Sequence, residues 1–154
     1  MTTIRSARSA DLPALLTLLA HSGLPTAGLA EHLGTALVAE DGAGLVGSAA
    51  LEVYGAEALL RSVAVSPELR GTGLGQRLVT EALDHARQLG VTSVYLLTES
   101  AAGFFPRFGF RPIERAAIPA AVQQSVEFTS ACPASAQAMA VPLSPMSEAG
   151  APTP

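Results

Sequence analysis

The sequence predicts an α/β fold in which helices pack on a mixed β-sheet. Three features carry that expectation. Two β-rich runs, residues 36–40 and 45–53, are joined by Asp41-Gly42-Ala43-Gly44, a compact hairpin signal. Residues 73–89 place Leu74, Leu78, Val79, Ala82, Leu83, Ala86 and Leu89 at three- and four-residue spacing, the pattern of an amphipathic helix. Residues 94–97 form a short continuous apolar run, as expected of a strand covered on both faces.

In chain order, residues 3–8 predict a strand, followed by an amphipathic helix capped at Ser9. Arg5 and Arg8 ahead of the apolar run 12–20 loosely resemble a signal peptide, but Asp11 interrupts the basic-to-apolar transition and the run is short. A loop is expected at 21–25, a helical turn at 30–34, and a strand at 57–65 after the two hairpin strands. Gly90 supplies the stop for the long helix. After the strand at 94–97 come a short helix at 101–108, a strand entered through Gly109-Phe110, a helical stretch at 119–124 and a closing strand at 135–141. Residues 1–142 read as a single domain. Residues 143–154 are mostly Pro, Ser, Ala and Gly, with Glu148 and one Met, have little to bury and read as a disordered tail.

Composition narrows the function. The chain has 154 residues, of which 49% are hydrophobic and 14% charged, with a net charge of −4. All nine basic residues are Arg. Such an acidic chain is a poor nucleic-acid binder, so an anionic ligand must be held by local backbone and a few placed Arg. A single Cys permits no internal disulfide and fits a cytoplasmic location. No run reaches the roughly 20 apolar residues that a membrane-spanning helix needs.

The chemistry concentrates in residues 63–76, a strand end, a turn at Pro67, a glycine-rich loop and the start of the long helix. Gly71, Gly73 and Gly75 lack Cβ atoms, so the backbone can approach a ligand closely. The unpaired N–H groups and positive dipole end of the helix make this an anion site suited to a diphosphate. A dinucleotide fingerprint fails, because its sixth position would be Gln76 or Leu78 instead of glycine. A Walker phosphate loop fails for want of a Lys.

The string Arg70-Gly71-Thr72-Gly73-Leu74-Gly75 resembles the Arg/Gln-x-x-Gly-x-Gly/Ala acetyl-CoA signature of the GNAT superfamily of N-acetyltransferases. Phe104-Phe105-Pro106-Arg107-Phe108-Gly109-Phe110 is similar to that superfamily's aromatic-rich helix before a Gly-Phe strand, and element order agrees over residues 1–142. The resemblance implies a GNAT fold, with a mostly antiparallel twisted sheet of six to seven strands splayed between residues 57–65 and 94–97. It implies acetyl-CoA as cosubstrate. Its diphosphate would lie on Arg70, Gly71, Thr72, Gly73, Leu74, Gly75 and Gln76, and its pantetheine along Val63, Ala64 and Val65, with Phe105 nearby. A narrower resemblance is to small N-acetyltransferases of bacterial arsenic-resistance operons. It is carried by Leu51-Glu52-Val53-Tyr54-Gly55, residues 58–65, Tyr95-Leu96-Leu97-Thr98, Ile118-Pro119-Ala120-Ala121, Glu127-Phe128-Thr129 and residues 132–136. This one implies a small-molecule amine substrate such as arsinothricin or a phosphinothricin-like compound, and a role in detoxification.

Acetyl transfer to an amine needs proximity, a donor to the carbonyl oxygen and removal of a proton from nitrogen. Glu52 and Glu57 are the candidate bases, with Glu99 a further carboxylate, and Tyr54 and Thr98 are placed with the substrate. Many relatives carry a Tyr where Phe105 stands, so no side-chain acid is evident for the thiolate. Arg61 interrupts an apolar run: it either pairs with Glu52 or Glu57, or binds a substrate anion through its planar fork. Cys132 reads as an inert thiol. His21, His32 and His85 lack metal-ligand spacing, so no metal is expected. A homodimer through the closing strand is compatible with the pattern. Two other functions fit the same residues: acetylation of a peptide N-terminus, and acetyl-CoA sensing without catalysis.

Overall fold

A computed structural model describes residues 2–99, 101–128 and 135–144. Its strands are β1 (Thr3–Ser6), β2 (Ala36–Asp41), β3 (Gly44–Tyr54), β4 (Glu57–Val65), β5 (Ser93–Thr98), β6 (Arg111–Ile113) and β7 (Gln137–Pro142). The α-helices are α1 (Leu12–His21) and α2 (Leu74–Gln88). The strands form one sheet in the order β1-β2-β3-β4-β5-β7-β6. Pairs β1/β2, β2/β3, β5/β7 and β6/β7 are antiparallel, whereas β4 and β5 run parallel. This is the mixed, mostly antiparallel sheet expected. The β4/β5 register covers Glu57↔Ser93, Ala58↔Val94 and Leu59↔Tyr95, and these are the two strands between which the resemblance implies a splay.

The chain divides into two compact units, Met1–Glu52 with Leu60–Ala82, and Val53–Leu59 with Leu83–Pro154. In the first, Leu15, Leu18 and Leu19 of α1 pack with Leu29 on Ala36, Val38, Ala50 and Ala64. Successive strand residues face opposite ways, so Ala39 turns from this cluster toward the face that receives α2. There Gly47 lets the helix approach: a Cβ would stand 2.8 Å from Leu78 Cδ1 and 3.4 Å from Ala39 Cβ. The start of α1 departs from expectation. Ser9 is not its cap but opens a 3₁₀ turn, Ser9–Asp11. Asp11 Oδ2 accepts the Arg8 N–H at 2.7 Å, and the carboxylate takes two hydrogen bonds from Arg5, at 2.8 and 2.9 Å. Those bonds from Arg5 lower the Asp11 pKa to about 2.

In the second unit, Leu59, Ile118, Val122 and Ala138 form a core flanked by Tyr54, Tyr95, Leu97, Ile113 and Phe128. The helix ending near Gly90 closes as expected. Gly90 sits at φ +84°, its N–H bonding Arg87 O and the Val91 N–H bonding Ala86 O. Two expected helices are shorter than the sequence suggests. Residues 101–108 contract to a 3₁₀ turn, Phe105–Phe108, because Pro106 has no N–H and Gly109 at φ +95° ends the turn. Residues 119–124 likewise contract to Val122–Gln124. Cys132, residues 129–134 and the expected tail beyond Ser144 lie outside the described residues, but Leu143, expected as the first tail residue, is buried and its N–H bonds Thr92 O at 2.9 Å.

Candidate active site

The glycine loop is built as an open cradle. β4 ends when the Ser66 N–H bonds Val46 O at 2.8 Å, and a 3₁₀ turn, Pro67–Leu69, follows. Arg70 folds back and donates from Nε to Val65 O at 3.1 Å, while Thr72 Oγ1 donates to Leu69 O at 2.6 Å. Gly71 and Gly73 take φ of +84° and +89°, a region that side chains other than glycine's seldom enter. Nothing lies within 4 Å of where a Cβ would stand on either, so the loop is open on that side. The Arg77 N–H reaches Gly73 O at 3.1 Å, and the N–H groups ahead of it have no partner within the helix. An open cavity of about 520 Å³ adjoins the loop, lined by Thr2, Leu69, Thr72, Leu74 and Arg77. Backbone donors, a helix dipole and nearby guanidinium groups suit a diphosphate.

A second cluster sits on β3 and β4 of the same unit. Arg61 and Glu52 are both buried, and Arg61 Nη1 donates to Glu52 Oε2 at 2.8 Å. Arg61 also donates from Nε to Ser62 Oγ at 3.1 Å and from Nη2 to Pro25 O at 3.3 Å. Of the two alternatives for Arg61, then, the structure forms the ion pair with Glu52. Glu52 is no solvated strand-edge carboxylate. His32 Nε2 stands 3.7 Å from Glu52 Oε1, with 24% of its side chain exposed. Ser62 takes φ +59°, the one positive φ on a non-glycine residue among those described. Ser48 Oγ holds its carbonyl at 2.7 Å.

The remaining predicted residues divide between the units. Val63 and Val65 are half-buried on β4, with Ala64 buried between them. Leu74 is buried, Gly75 half-buried and Gln76 exposed at the head of α2. In the other unit, half-buried Tyr54 packs against the Leu59 cluster, and Thr98 Oγ1 accepts the Ala101 N–H at 3.0 Å. Glu57 pairs in register with Ser93. Desolvation, with the Glu57 charge added, pushes the Tyr95 hydroxyl pKa upward. Phe105 is buried between the edges of Phe104 and Phe110, at ring-centroid distances of 5.1 and 5.7 Å. The association of Ser48, Ser62 and His32 with the Arg61–Glu52 pair escaped sequence reading, since it depends on strand register and a kinked turn that no local pattern announces. Among the described residues no group of three or more His, Cys, Asp or Glu is placed to hold a metal, and no helix is long and apolar enough to cross a membrane.

Fold and loop together define a CoA-dependent acyltransferase, and comparison with known proteins agrees. Residues 32–112 match the family model of the acetyltransferase (GNAT) domain. The uncharacterized N-acetyltransferase CT2212 of Chlorobaculum tepidum is 32% identical over 126 residues, 77% of this chain and 81% of that protein. The amino-acid acetyltransferase of Neisseria meningitidis is 30% identical over 127 residues, 76% of this chain but only 29% of that longer protein. The structure of Rv2747 from Mycobacterium tuberculosis, in complex with CoA, superposes at a TM-score of 0.77 with 28% identity, covering 92% of this chain and 99% of that one. The chain belongs to the GNAT family of acetyltransferases. It is an acetyl-CoA-dependent N-acetyltransferase.

Proposed function

We propose that this enzyme acetylates the amine of a small amino-acid-like molecule. The observation carrying that substrate class is the 30% identity with an amino-acid acetyltransferase across 76% of the chain. Bound acetyl-CoA supplies an activated acetyl thioester. The backbone N–H groups from Gly71 to Gly75 take its diphosphate, flanked by Arg70, Thr72, Leu74 and Gln76. The open side of Gly71 and Gly73 and the adjoining cavity fit that role.

Val63, Ala64 and Val65 carry the pantetheine arm along β4, where backbone donors serve the acetyl carbonyl oxygen. The positive φ at Ser62 supports this, because it marks a strained backbone position on β4 just before those residues. No side-chain acid is assigned to the thiolate, which is neutralised by solvent or by the substrate's own ammonium. A thiolate with a pKa near 8.5 is a tolerable leaving group without a dedicated acid.

The finer assignment, an arsinothricin- or phosphinothricin-like substrate, is supported by the sequence strings described above. Thiol release from acetyl-CoA with L-glutamate, L-alanine, phosphinothricin, arsinothricin and an alanine-initiated peptide tests it. Fastest turnover of a free amino acid or its phosphinate or arsenical analogue is expected. Preference for the peptide by tenfold or more overturns the small-substrate reading.

A further inference from the structure

We infer that His32 is the general base of acetyl transfer, standing on the buried Glu52–Arg61 pair. The inference rests on the acetyl-transfer reading above and assigns a residue to its proton step. Glu52 is too enclosed to meet an amine directly, since 1% of its side chain is exposed. The imidazole 3.7 Å from it is partly open to solvent. Glu52 Oε1 stands against His32 Nε2 and orients the ring. Arg61 Nη1 occupies the other carboxylate oxygen of Glu52 and fixes its orientation.

The backbone around His32 is held for this placement. A 3₁₀ stretch, Leu29–Thr35, is interrupted at His32, whose φ of −117° and ψ of 19° are not helical. Thr35 Oγ1 lies 3.2 Å from His32 O and also bonds Leu51 O on β3, the residue before Glu52. Arg61 Nη2 ties the preceding loop down at Pro25 O. From the same guanidinium, Nε reaches Ser62 Oγ, one residue before the Val63–Val65 backbone. The proton acceptor and the proposed thioester strand are thus joined through one continuous set of contacts.

In the step, a substrate entering as R–NH₃⁺ gives one proton to the His32 imidazole. The freed nitrogen lone pair forms the bond to the acetyl carbon while the C–S bond breaks and sulfur leaves with its electron pair. A second nitrogen proton neutralises the thiolate, and His32 returns its proton to water. The products are the N-acetyl compound, CoA thiol and one released proton.

The test compares wild type with His32→Gln and His32→Ala, using the best amine of the panel and reading N-acetyl product by mass spectrometry. Loss of a general base lowers kcat by about 100-fold, with KM for acetyl-CoA unchanged within about twofold. Imidazole added to His32→Ala restores at least a tenth of the lost rate, whereas His85→Gln behaves as wild type. Variants within threefold of the wild-type kcat overturn the assignment. If no amine of the panel reacts, the substrate reading fails by itself, and basal hydrolysis of acetyl-CoA then decides. Water takes the place of the amine there. A tenfold loss in His32→Gln supports the base, and an unchanged hydrolysis rate overturns it.

Discussion

Arg61 Nη1 and Glu52 Oε2 meet at 2.8 Å where neither side chain has meaningful solvent exposure. A buried ion pair is marginal against an apolar replacement of both members, but removing one leaves the other charged, enclosed and short of its counter-ion. Glu52→Leu and Arg61→Met are each expected to lose about 3–5 kcal/mol of stability. The double variant Arg61→Met/Glu52→Leu should recover most of that loss. Urea denaturation of the four proteins checks the cycle, and single losses under about 1 kcal/mol contradict it.

Gly47 is a packing glycine. A Cβ there falls 2.8 Å from Leu78 Cδ1 and 3.2 Å from Ala64 O, and Leu78 is fully buried. Gly47→Val is therefore expected to cost about 1–3 kcal/mol by overpacking. Combining it with Leu78→Ala makes room, so the double variant should be more stable than the sum of the two single losses predicts. Thermal unfolding measures the difference.

The elements that were legible in the sequence are those whose signal is local. β4 runs over the residues its apolar run marks, 57–65, and α2 falls within one residue of the span that its apolar periodicity marks. The glycine loop was legible because the spacing of Gly71 and Gly73 before an amphipathic helix marks it, and both take the positive φ that glycine permits. Phe105–Phe108 was less so: aromatic spacing suggested a helix, while Pro106 and Gly109 together allow one 3₁₀ turn. Ser62 looks like any residue in a β-rich run, and its left-handed backbone is held by a bond from Ser48, fourteen positions away, and by one from its neighbour Arg61. His32 gains its meaning only from Glu52, twenty positions away in sequence.

Acid stability should carry the mark of Asp11. Its carboxyl titrates at about 2, below the ordinary 3.8, because Arg5 holds it, and Glu40 shares the same guanidinium at 2.8 Å. A depressed acid contributes stability that is fully present above its unfolded-state pKa and lost as pH falls through the folded value. At neutral pH, Asp11→Asn is expected to be less stable by about 1–2 kcal/mol, discounted for its partial exposure. The gap between the two proteins should narrow below pH 4 and close near pH 2. A gap constant from pH 7 to 2 would mean the charge contributes nothing.

Gly73 separates backbone strain from charge in the loop proposed to hold the diphosphate. Its φ of +89° makes any side chain strained, yet the space around a Cβ is open, so a substitution can fold. Gly73→Ala and Gly73→Asp share that strain and should lower the melting temperature of the unliganded protein by similar amounts. They differ in what a diphosphate would meet. Alanine adds one methyl group, and CoA affinity should fall by about tenfold, the equivalent of about 1.4 kcal/mol. Aspartate places a negative charge against the phosphates and competes for the same N–H donors, so the loss should exceed 100-fold. Calorimetric titration with CoA reads both. If Gly73→Asp binds as well as Gly73→Ala, the diphosphate does not sit on this loop.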